Sequence, residues 1–283
     1  MNTAIDQMNA TGHLLTGQDS ELERLQLQSR VWEPSGRRLL EAISADSGRG
    51  IGTRSLDVGC GVLGWLRLLS ERVGSDGTVV GTDNDDAVLA AAERFVAAEG
   101  LGNVRLVNDD LFASRLEPAS FDLVHARFEM TPLGRGHDQM STYLRLLRPG
   151  GTVVLEDPDW SSWRFTPPAP ALEQLIALTV EAFDRWGEDE AGRNNPALLS
   201  AFDIEPQVRA EVLALPAGHP YLRLPLKLAA GLEPRLLELT DAAKLERLRR
   251  DAETELAEPG RWGTTFTLLQ CWGRSFIRRN IRP

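Results

Sequence analysis

Cysteine is nearly absent: the 283 residues include only Cys60 and Cys271, which give no metal-ligand spacing. Two buriable thiols fit a reducing cytoplasm. Basic charge is also short, with 31 Lys and Arg against 41 Asp and Glu, a formal net charge of −10. A nucleic-acid backbone needs a basic face to replace its counterions, so it is excluded as the main partner. The arginines near the end, Arg274, Arg278, Arg279 and Arg282, read as a solvated tail. No apolar run approaches the ~20 residues of a membrane helix. Met1 to Gln18 lack a positive region followed by an apolar core, so no signal peptide is expected. Internal repeats and low-complexity tracts are missing too. These absences predict a soluble, cytoplasmic protein that is monomeric or a homodimer.

What the chain does have is 42% hydrophobic residues, enough to bury a sizeable core as one large domain or one domain with additions. Its organising stretch is Ser55-Leu56-Asp57-Val58-Gly59-Cys60-Gly61-Val62-Leu63-Gly64. An apolar run ends in an acid, turns through glycines and enters the helical pattern Trp65 to Val73, which Gly74 closes. A strand feeding a helix through glycines lets backbone N–H groups approach a ligand closely.

Upstream, the spacing predicts a helix from Ser20, with Ser20 as its cap. Pro34 bends or ends it, and a second helix over Arg37 to Ile43 runs to the Gly48-Arg49-Gly50 break. Downstream, Gly77 to Thr82 reads as a buried strand ending at Asp83. A helix over Asp85 to Glu99 follows, then strands Val104 to Val107 and Phe121 to Ala126, a helix Gln139 to Leu147, and a strand Thr152 to Leu155. Strands alternating with helices predict a parallel sheet covered on both faces.

Beyond Glu156 the pattern changes. Leu172, Leu175, Ile176, Thr179, Phe183 and Trp186 mark an amphipathic helix; Asn195-Pro196 starts another with Pro196 in its first turn; Val208 to Ala214 alternates like a strand. Residues 216–232 are ambiguous, because Leu222, Leu224, Leu226 and Leu228 fit period two while Pro225 disfavours an interior strand. Asp241 to Leu256 is a helix and Thr264 to Trp272 a final strand.

Three carboxylates stand where three successive strands end: Asp57, Asp83 and Asp109/Asp110. Ligands of open parallel sheets bind beyond the carboxyl ends of the strands. An acid after the second strand suits a ribose diol, and one after the third can accept from an adenine amino group. Asp57, at the glycine turn, repels a pyrophosphate but is comfortable beside a sulfonium amino acid. The charges therefore favour S-adenosylmethionine over NAD. Each acid alone also serves as a helix or turn cap; the combination points to a cofactor.

Leu56-Asp57-Val58-Gly59-Cys60-Gly61 resembles the first motif of class I S-adenosylmethionine-dependent methyltransferases, and Val80-Gly81-Thr82-Asp83 their second. Asp110-Leu111 is similar to the third, Phe121 to Arg127 to the fourth, and Leu147-Arg148-Pro149-Gly150-Gly151 to the turn before their fifth strand. The resemblance covers about Arg54 to Glu156, with one departure: Leu63 stands where a third glycine is usual, and Gly64 follows. It implies an α/β Rossmann-like fold, a seven-stranded mostly parallel sheet with an antiparallel last strand, a helical N-terminal cover and a helical insertion. It places Asp57, Gly59 and Gly61 at the methionyl end of the cofactor, Asp83 and Asn84 at ribose and adenine, Asp110 and Leu111 at adenine, and Ala126 and Arg127 along its side. Gln28, Arg30 and Trp32 become candidates for the cofactor carboxylate and pocket wall. The implied organisation is 1–50 as N-terminal cover and 51–157 as cofactor-binding core. Residues 158–262 form a helical lid and substrate region with a further core strand near 208–214, and 263–283 the closing strand and tail.

Methyl transfer mainly requires the nucleophile to be held close and aligned. In Glu156-Asp157-Pro158-Asp159-Trp160, read as a loop after the fifth strand, Glu156 and Asp159 are the candidates for taking a proton or holding an amine, with Glu156 preferred as the catalytic residue and Asp157 read as a turn cap. His125, His137 and His219 are further base candidates, none with an orienting partner evident in sequence. No metal site is expected. Trp160, Trp163 and Phe165, with Trp32 and Asp159, suggest a wall for a flat or apolar small molecule, as in secondary metabolism. The expected function is methylation of a small organic metabolite on oxygen, nitrogen or carbon. The alternatives are the same fold turned to a non-methylating reaction such as cyclisation, an NAD(P)-dependent oxidoreductase, or a non-catalytic binding module.

Overall fold

The alternation of apolar strands and amphipathic helices builds one large sheet and a helical cover. The computed structural model describes residues 19–47 and 52–275. The opening stretch Met1 to Gln18, the Gly48-Arg49-Gly50 break, Arg278, Arg279 and Arg282, and the side chain of Ser20 lie outside the described residues. The first half runs α1 (Asp19–Ser47), β1 (Arg54–Val58), α2 (Leu66–Val73), β2 (Thr78–Asp83), α3 (Asp86–Ala98) and β3 (Val104–Asn108). It continues through β4 (Phe121–Arg127), α4 (Met130–Leu133), α5 (Gly136–Leu146) and β5 (Leu147–Asp159). The second half comprises β6 (Arg164–Thr166), α6 (Pro170–Trp186), α7 (Ala191–Ala201), β7 (Gln207–Glu211) and β8 (Ala214–Leu215). It ends with α8 (Leu224–Gly231), α9 (Glu233–Leu239), α10 (Ala242–Ala257), β9 (Trp262–Thr264) and β10 (Thr267–Arg274).

Seven strands form the main sheet in the order β3-β2-β1-β4-β5-β10-β7. The pairs from β3 to β5 are parallel, and β10 is antiparallel to both β5 and β7. Strand order reverses between β1 and β4, so the glycine turn after β1 lies at the switch point, where a crevice opens at the carboxyl ends. Alternation along each strand sends side chains to two different cores. On one face Leu123 and Val154 pack with Leu39, Ile43, Trp65, Leu69 and Leu89 from α1, α2 and α3. On the other, Val124, Ala126, Val153 and Leu155 meet Met140, Tyr143 and Leu199 from α5 and α7. A third cluster, with Trp32, Trp160, Phe183, Tyr221, Leu245 and Phe266, forms the helical cover.

Several elements differ from the sequence reading. α1 continues through Pro34 as one 29-residue helix instead of breaking there. A proline inside a helix costs ~3 kcal/mol. Here its ring is exposed, and burial of Trp32, Leu39, Leu40 and Ile43 on the inner side, each worth ~1.5–3 kcal/mol, outweighs that cost. α7 begins at Ala191, so Pro196 lies within the helix and not in its first turn. The start is set by tertiary contact: Gly192 packs onto the β5 backbone, and Asn195 donates its amide to Asp157 Oδ2 at 3.0 Å. β5 is longer than expected, because β10 pairs with it as far as Asp159. Glu156 to Asp159 are therefore strand, not loop. The expected single strands Val208 to Ala214 and Thr264 to Trp272 are each split where the chain passes between the main sheet and a small β6-β9-β8 sheet. The ambiguous 216–232 region is a 3-10 turn, Pro220–Arg223, followed by α8 with Pro225 in its first turn, where a missing N–H is harmless.

A Cβ added at Gly192 would stand 2.6 Å from the Asp157 carbonyl oxygen and 3.0 Å from that of Pro158. Gly192→Ala is expected to destabilise the fold by ~1–3 kcal/mol, read as a lower urea midpoint with an unchanged slope.

Candidate active site

β1 ends by turning its last acid inward. Asp57 Oδ2 accepts the Trp65 backbone N–H at 3.0 Å, tying the strand end to the start of α2 across the glycine turn. Gly59, Gly61 and Gly64 all have left-handed φ, at +59°, +58° and +41°. Leu63 departs from the family motif because its side chain packs beside Val62, Val88 and Ala91 between α1 and α3. The glycine requirement moves to Gly64, where a Cβ would meet Cys60 O at 2.2 Å and Asp57 Oδ2 at 2.7 Å.

Asp57 Oδ1 lies 2.7 Å from His125 Nδ1, on the neighbouring register position of β4. His125 Nε2 lies 3.0 Å from Glu156 Oε1, and Glu156 Oε2 accepts from Gln270 Nε2 at 2.6 Å. Gln270 reaches on to Ser35 Oγ of α1 at 3.1 Å. The chain is fully enclosed, and the Trp65 ring stacks on His125 with centroids 3.8 Å apart. Burial opposes charge on His125, but hydrogen bonds to Asp57 and Glu156 outweigh it and hold the imidazole above its ordinary pKa. Burial likewise opposes ionisation of Glu156, yet His125, Arg127 and Gln270 bring its pKa below the ordinary value. This arrangement corrects two expectations. His125 does have orienting partners, on both nitrogens. Glu156, the preferred catalytic residue, has both oxygens engaged in this buried chain and does not line the cavity.

The cavity opens at the carboxyl ends of β1, β2 and β4 and includes ≈ 830 Å³ of space, its open mouth counted. Gly59, Gly61, Asp83, Asp85 and Val88 form one side. Arg24, Leu25 and Gln28 of α1 cross it, with the Arg24 guanidinium donating to Gln28 Oε1. The opposite side is Arg127 to Glu129, Thr131 and Pro132, closed above by Trp160, Phe183 and Leu228. Asp83 is turned toward the glycines: Oδ2 accepts from the Gly61 N–H at 3.3 Å and Oδ1 from the Asp85 N–H at 3.0 Å.

Three successive residues at the end of β4, Arg127, Phe128 and Glu129, line this one space, which plain strand alternation would forbid. Phe128 makes it possible by adopting φ +64°, a costly conformation for an aromatic residue, of order 1–3 kcal/mol. Its N–H is held by the Glu156 carbonyl at 2.8 Å. Glu129 then reaches the glycine turn, its Oε1 2.0 Å from where a Cβ on Gly59 would stand. Burial, with Asp83, Asp157 and Asp57 nearby, pushes the Glu129 carboxyl well above the ordinary range. Asp157, buried behind it, is raised to about 7, chiefly by burial.

Of the residues singled out in sequence, the structure brings Gly59, Gly61, Asp83, Arg127, Trp160 and Gln28 to the cavity. Asp57 supports the turn from beneath. Asn84 and Ala126 are not among the lining residues, Ala126 being packed in the sheet core. Asp110 is exposed and caps the 3-10 turn at Phe112 N, and Leu111 packs against the core behind β4. Trp32 is enclosed, donating to Tyr221 Oη at 2.8 Å, and Arg30 is exposed. Asp159 pairs with Arg193 at 2.7 Å. Trp163 stacks on Phe165 and borders a small apolar cavity behind Trp160. His137 lies against Phe202, and His219 accepts from Tyr221 N. Arg24, Glu129, Thr131, Phe183 and Leu228 escaped the sequence reading. Only Arg24, one helical turn before Gln28, carried a signal. No cluster of three or more His, Cys, Asp or Glu able to hold a metal occurs among the described residues, and none of their helices is long and apolar enough to cross a membrane.

Replacing His125 by Phe preserves the stack on Trp65 but leaves Asp57 and Glu156 without their shared hydrogen-bond partner. The expected loss is ~3–5 kcal/mol at pH 7 by urea unfolding, shrinking as pH falls through the lowered pKa of Glu156. Asp157 makes a separate contribution. Its folded pKa is above the ordinary 3.8, so the stability it adds is complete below that value and disappears as pH rises through about 7. Asp157→Asn should flatten that part of the stability–pH curve.

A methyltransferase-domain family model matches residues 56–151. The chain is 37% identical to the demethylmenaquinone methyltransferase of Geobacillus kaustophilus over 183 residues, covering 59% of this chain and 78% of the relative. The Geobacillus stearothermophilus enzyme of the same name is 35% identical over the same shares. Among solved structures, the Bacillus subtilis YcgJ protein superposes with a TM-score of 0.56 at 16% identity, covering 84% of this chain and 97% of that one. These matches set aside the NAD(P)-dependent reading. The chain belongs to the class I S-adenosylmethionine-dependent methyltransferases and is an enzyme that takes S-adenosylmethionine as its cofactor.

Proposed function

We propose that this cavity holds S-adenosylmethionine along its glycine side and a small organic acceptor beneath the aromatic cover, where the acceptor is methylated. The observation that carries the reading is the convergence of Gly59, Gly61 and Asp83 with Trp160 and Phe183 on one cavity at the switch point. The residues fit the cofactor. The space above Gly61 is open, since a Cβ there would meet nothing within 4 Å, and Asp83 offers a carboxylate beside it for a diol. Arg24 and Gln28, across the cavity, are suited to a carboxylate. When bound, the cofactor supplies an electrophilic methyl group on a cationic sulfur. The protein's part is alignment and exclusion of water by Phe128, Trp160, Phe183 and Leu228. The name of the relatives supports an acceptor in the small-molecule class.

Glu129 faces Asp83, Asp57 and Asp157 from the neighbouring strands, with Arg127 on its own strand end. Burial and these acids disfavour its ionised form, and binding of the cationic cofactor favours it. Cofactor affinity should therefore rise as pH rises through the raised Glu129 pKa, and Glu129→Gln should flatten that dependence in calorimetric titrations. Asp83→Asn should weaken S-adenosylhomocysteine binding ~10–100-fold, the value of a charge-assisted hydrogen bond of ~1.5–3 kcal/mol. In wild type, S-adenosylhomocysteine at ~100 times its dissociation constant should stabilise the fold by ~2.7 kcal/mol. Incubating the enzyme with methyl-labelled cofactor and a metabolite extract should yield a labelled small molecule. Tight cofactor binding with no labelled product would instead favour a non-methylating reaction on the same fold.

A further inference from the structure

Eight buried side-chain polar atoms among the described residues lack a hydrogen-bond partner, and three belong to residues lining the same cavity: Arg127 Nη1, Thr131 Oγ1 and Trp160 Nε1. All three residues are more than nine-tenths buried. Buried donors are ordinarily satisfied, and a cluster of exceptions in a ligand cavity marks groups that a ligand completes. Two of the three can only donate, and the third can donate or accept. The matching ligand group is therefore an acceptor-rich, anionic oxygen. Each donor is held in place from behind. Thr131 N donates to Asp157 Oδ1 at 3.3 Å, and the Trp160 ring stacks on Phe183 at 5.4 Å and meets Phe266 edge-on at 4.9 Å. Arg127 lies 5.6 Å from the Phe128 ring.

The rest of this half of the cavity is flat and apolar, formed by Phe128, Pro132, Phe183 and Leu228. Behind Trp160 and Leu228 lies the smaller apolar cavity bordered by Trp163, Ile176 and Pro225. The cationic Arg24 and the amide of Gln28 stand on α1, whose Leu25 packs with Val62 and Leu63 of the glycine turn, and in the proposed reading they answer the carboxylate of the cofactor. That leaves Arg127 for the second ligand.

We propose that Arg127, Thr131 and Trp160 form the acceptor subsite, and that the acceptor is a planar aromatic molecule carrying a carboxylate or phenolate oxygen. The oxygen takes the three donors, and the ring lies against Phe128 and Phe183. The assignment rests on the proposed placement of the cofactor on the glycine side of the same cavity.

The test uses the full chain saturated with S-adenosylhomocysteine and three probes of one size: 3-hydroxy-2-naphthoate, naphthalene and 2-naphthylamine, with binding read by ligand and tryptophan fluorescence. Wild type is expected to bind the naphthoate at least tenfold more tightly than the other two. Arg127→Met should remove that preference, leaving naphthalene binding and the affinity for S-adenosylhomocysteine unchanged. Thr131→Val, which keeps side-chain shape, should weaken naphthoate binding several-fold and serves if the arginine variant does not fold. Equal binding of the three probes to wild type, or tighter binding of the amine, overturns the proposal. So does a loss of S-adenosylhomocysteine affinity in Arg127→Met, which would give Arg127 to the cofactor. Failure of wild type to bind S-adenosylhomocysteine at all would instead overturn the underlying cavity assignment.

Discussion

The structure depends on one buried run of charge, Asp57–His125–Glu156, which crosses β1, β4 and β5. Isolated charges this deep are prohibitively costly, so each member exists only because its neighbours are in register. The run is continuous at both ends with structure that forms the cavity. Asp57 holds the first N–H of the helix after the glycine turn, and Glu156 connects through Gln270 to Ser35 on the helix that crosses the site. Disturbing the imidazole would act on the turn, the central strands and the cover together. The carboxylates here are engaged with one another's partners, and Glu156 is turned into this run and not into the cavity.

The second constraint is the backbone at Phe128. A left-handed aromatic residue stores strain, and it is held by a hydrogen bond from its N–H to the β5 carbonyl. In return Arg127, Phe128 and Glu129 all reach one cavity. Arg127 brings a donor that nothing in the described protein satisfies, and Glu129 brings a carboxyl that burial and neighbouring acids keep from ionising readily. Opposite demands thus meet within three residues: a place suited to a cation against the glycines, and one suited to an anionic oxygen under the tryptophan. The two reacting molecules of a methyl transfer differ in the same sense.

The helical cover is the part of the molecule that gives the cavity its ceiling. Trp160 and Phe183 sit in it because β10 holds β5 straight as far as Asp159, and Phe266 fills the space between the aromatic rings. Pairing between strands more than a hundred residues apart therefore decides which aromatic side chain faces the cavity. Trp32 and Trp163 have the same chemistry, but one is tied to Tyr221 and the other stacks on Phe165 behind the wall.

Local signals carried the sheet's parallel half: apolar strands, the glycine turn, the helix start at Asp85 and the strand-end acid Asp83 all act over a few residues and are legible as pattern. The same patterns misplaced Pro34, Pro196 and the start of the loop after β5, because there propensity is overruled by burial and by strand pairing at long range. The partners of His125 lie 68 and 31 residues away and are set by register, which no spacing rule encodes. Glu129 and Thr131 reach the cavity only through the left-handed turn at Phe128. By itself the sequence determined the fold family and its cofactor, since these follow from short motifs whose geometry is local. Only the tertiary structure decided which acids are engaged by other side chains, which buried donors have no partner among the described residues and which aromatic rings line the cavity, since each of those depends on what other strands and helices bring alongside.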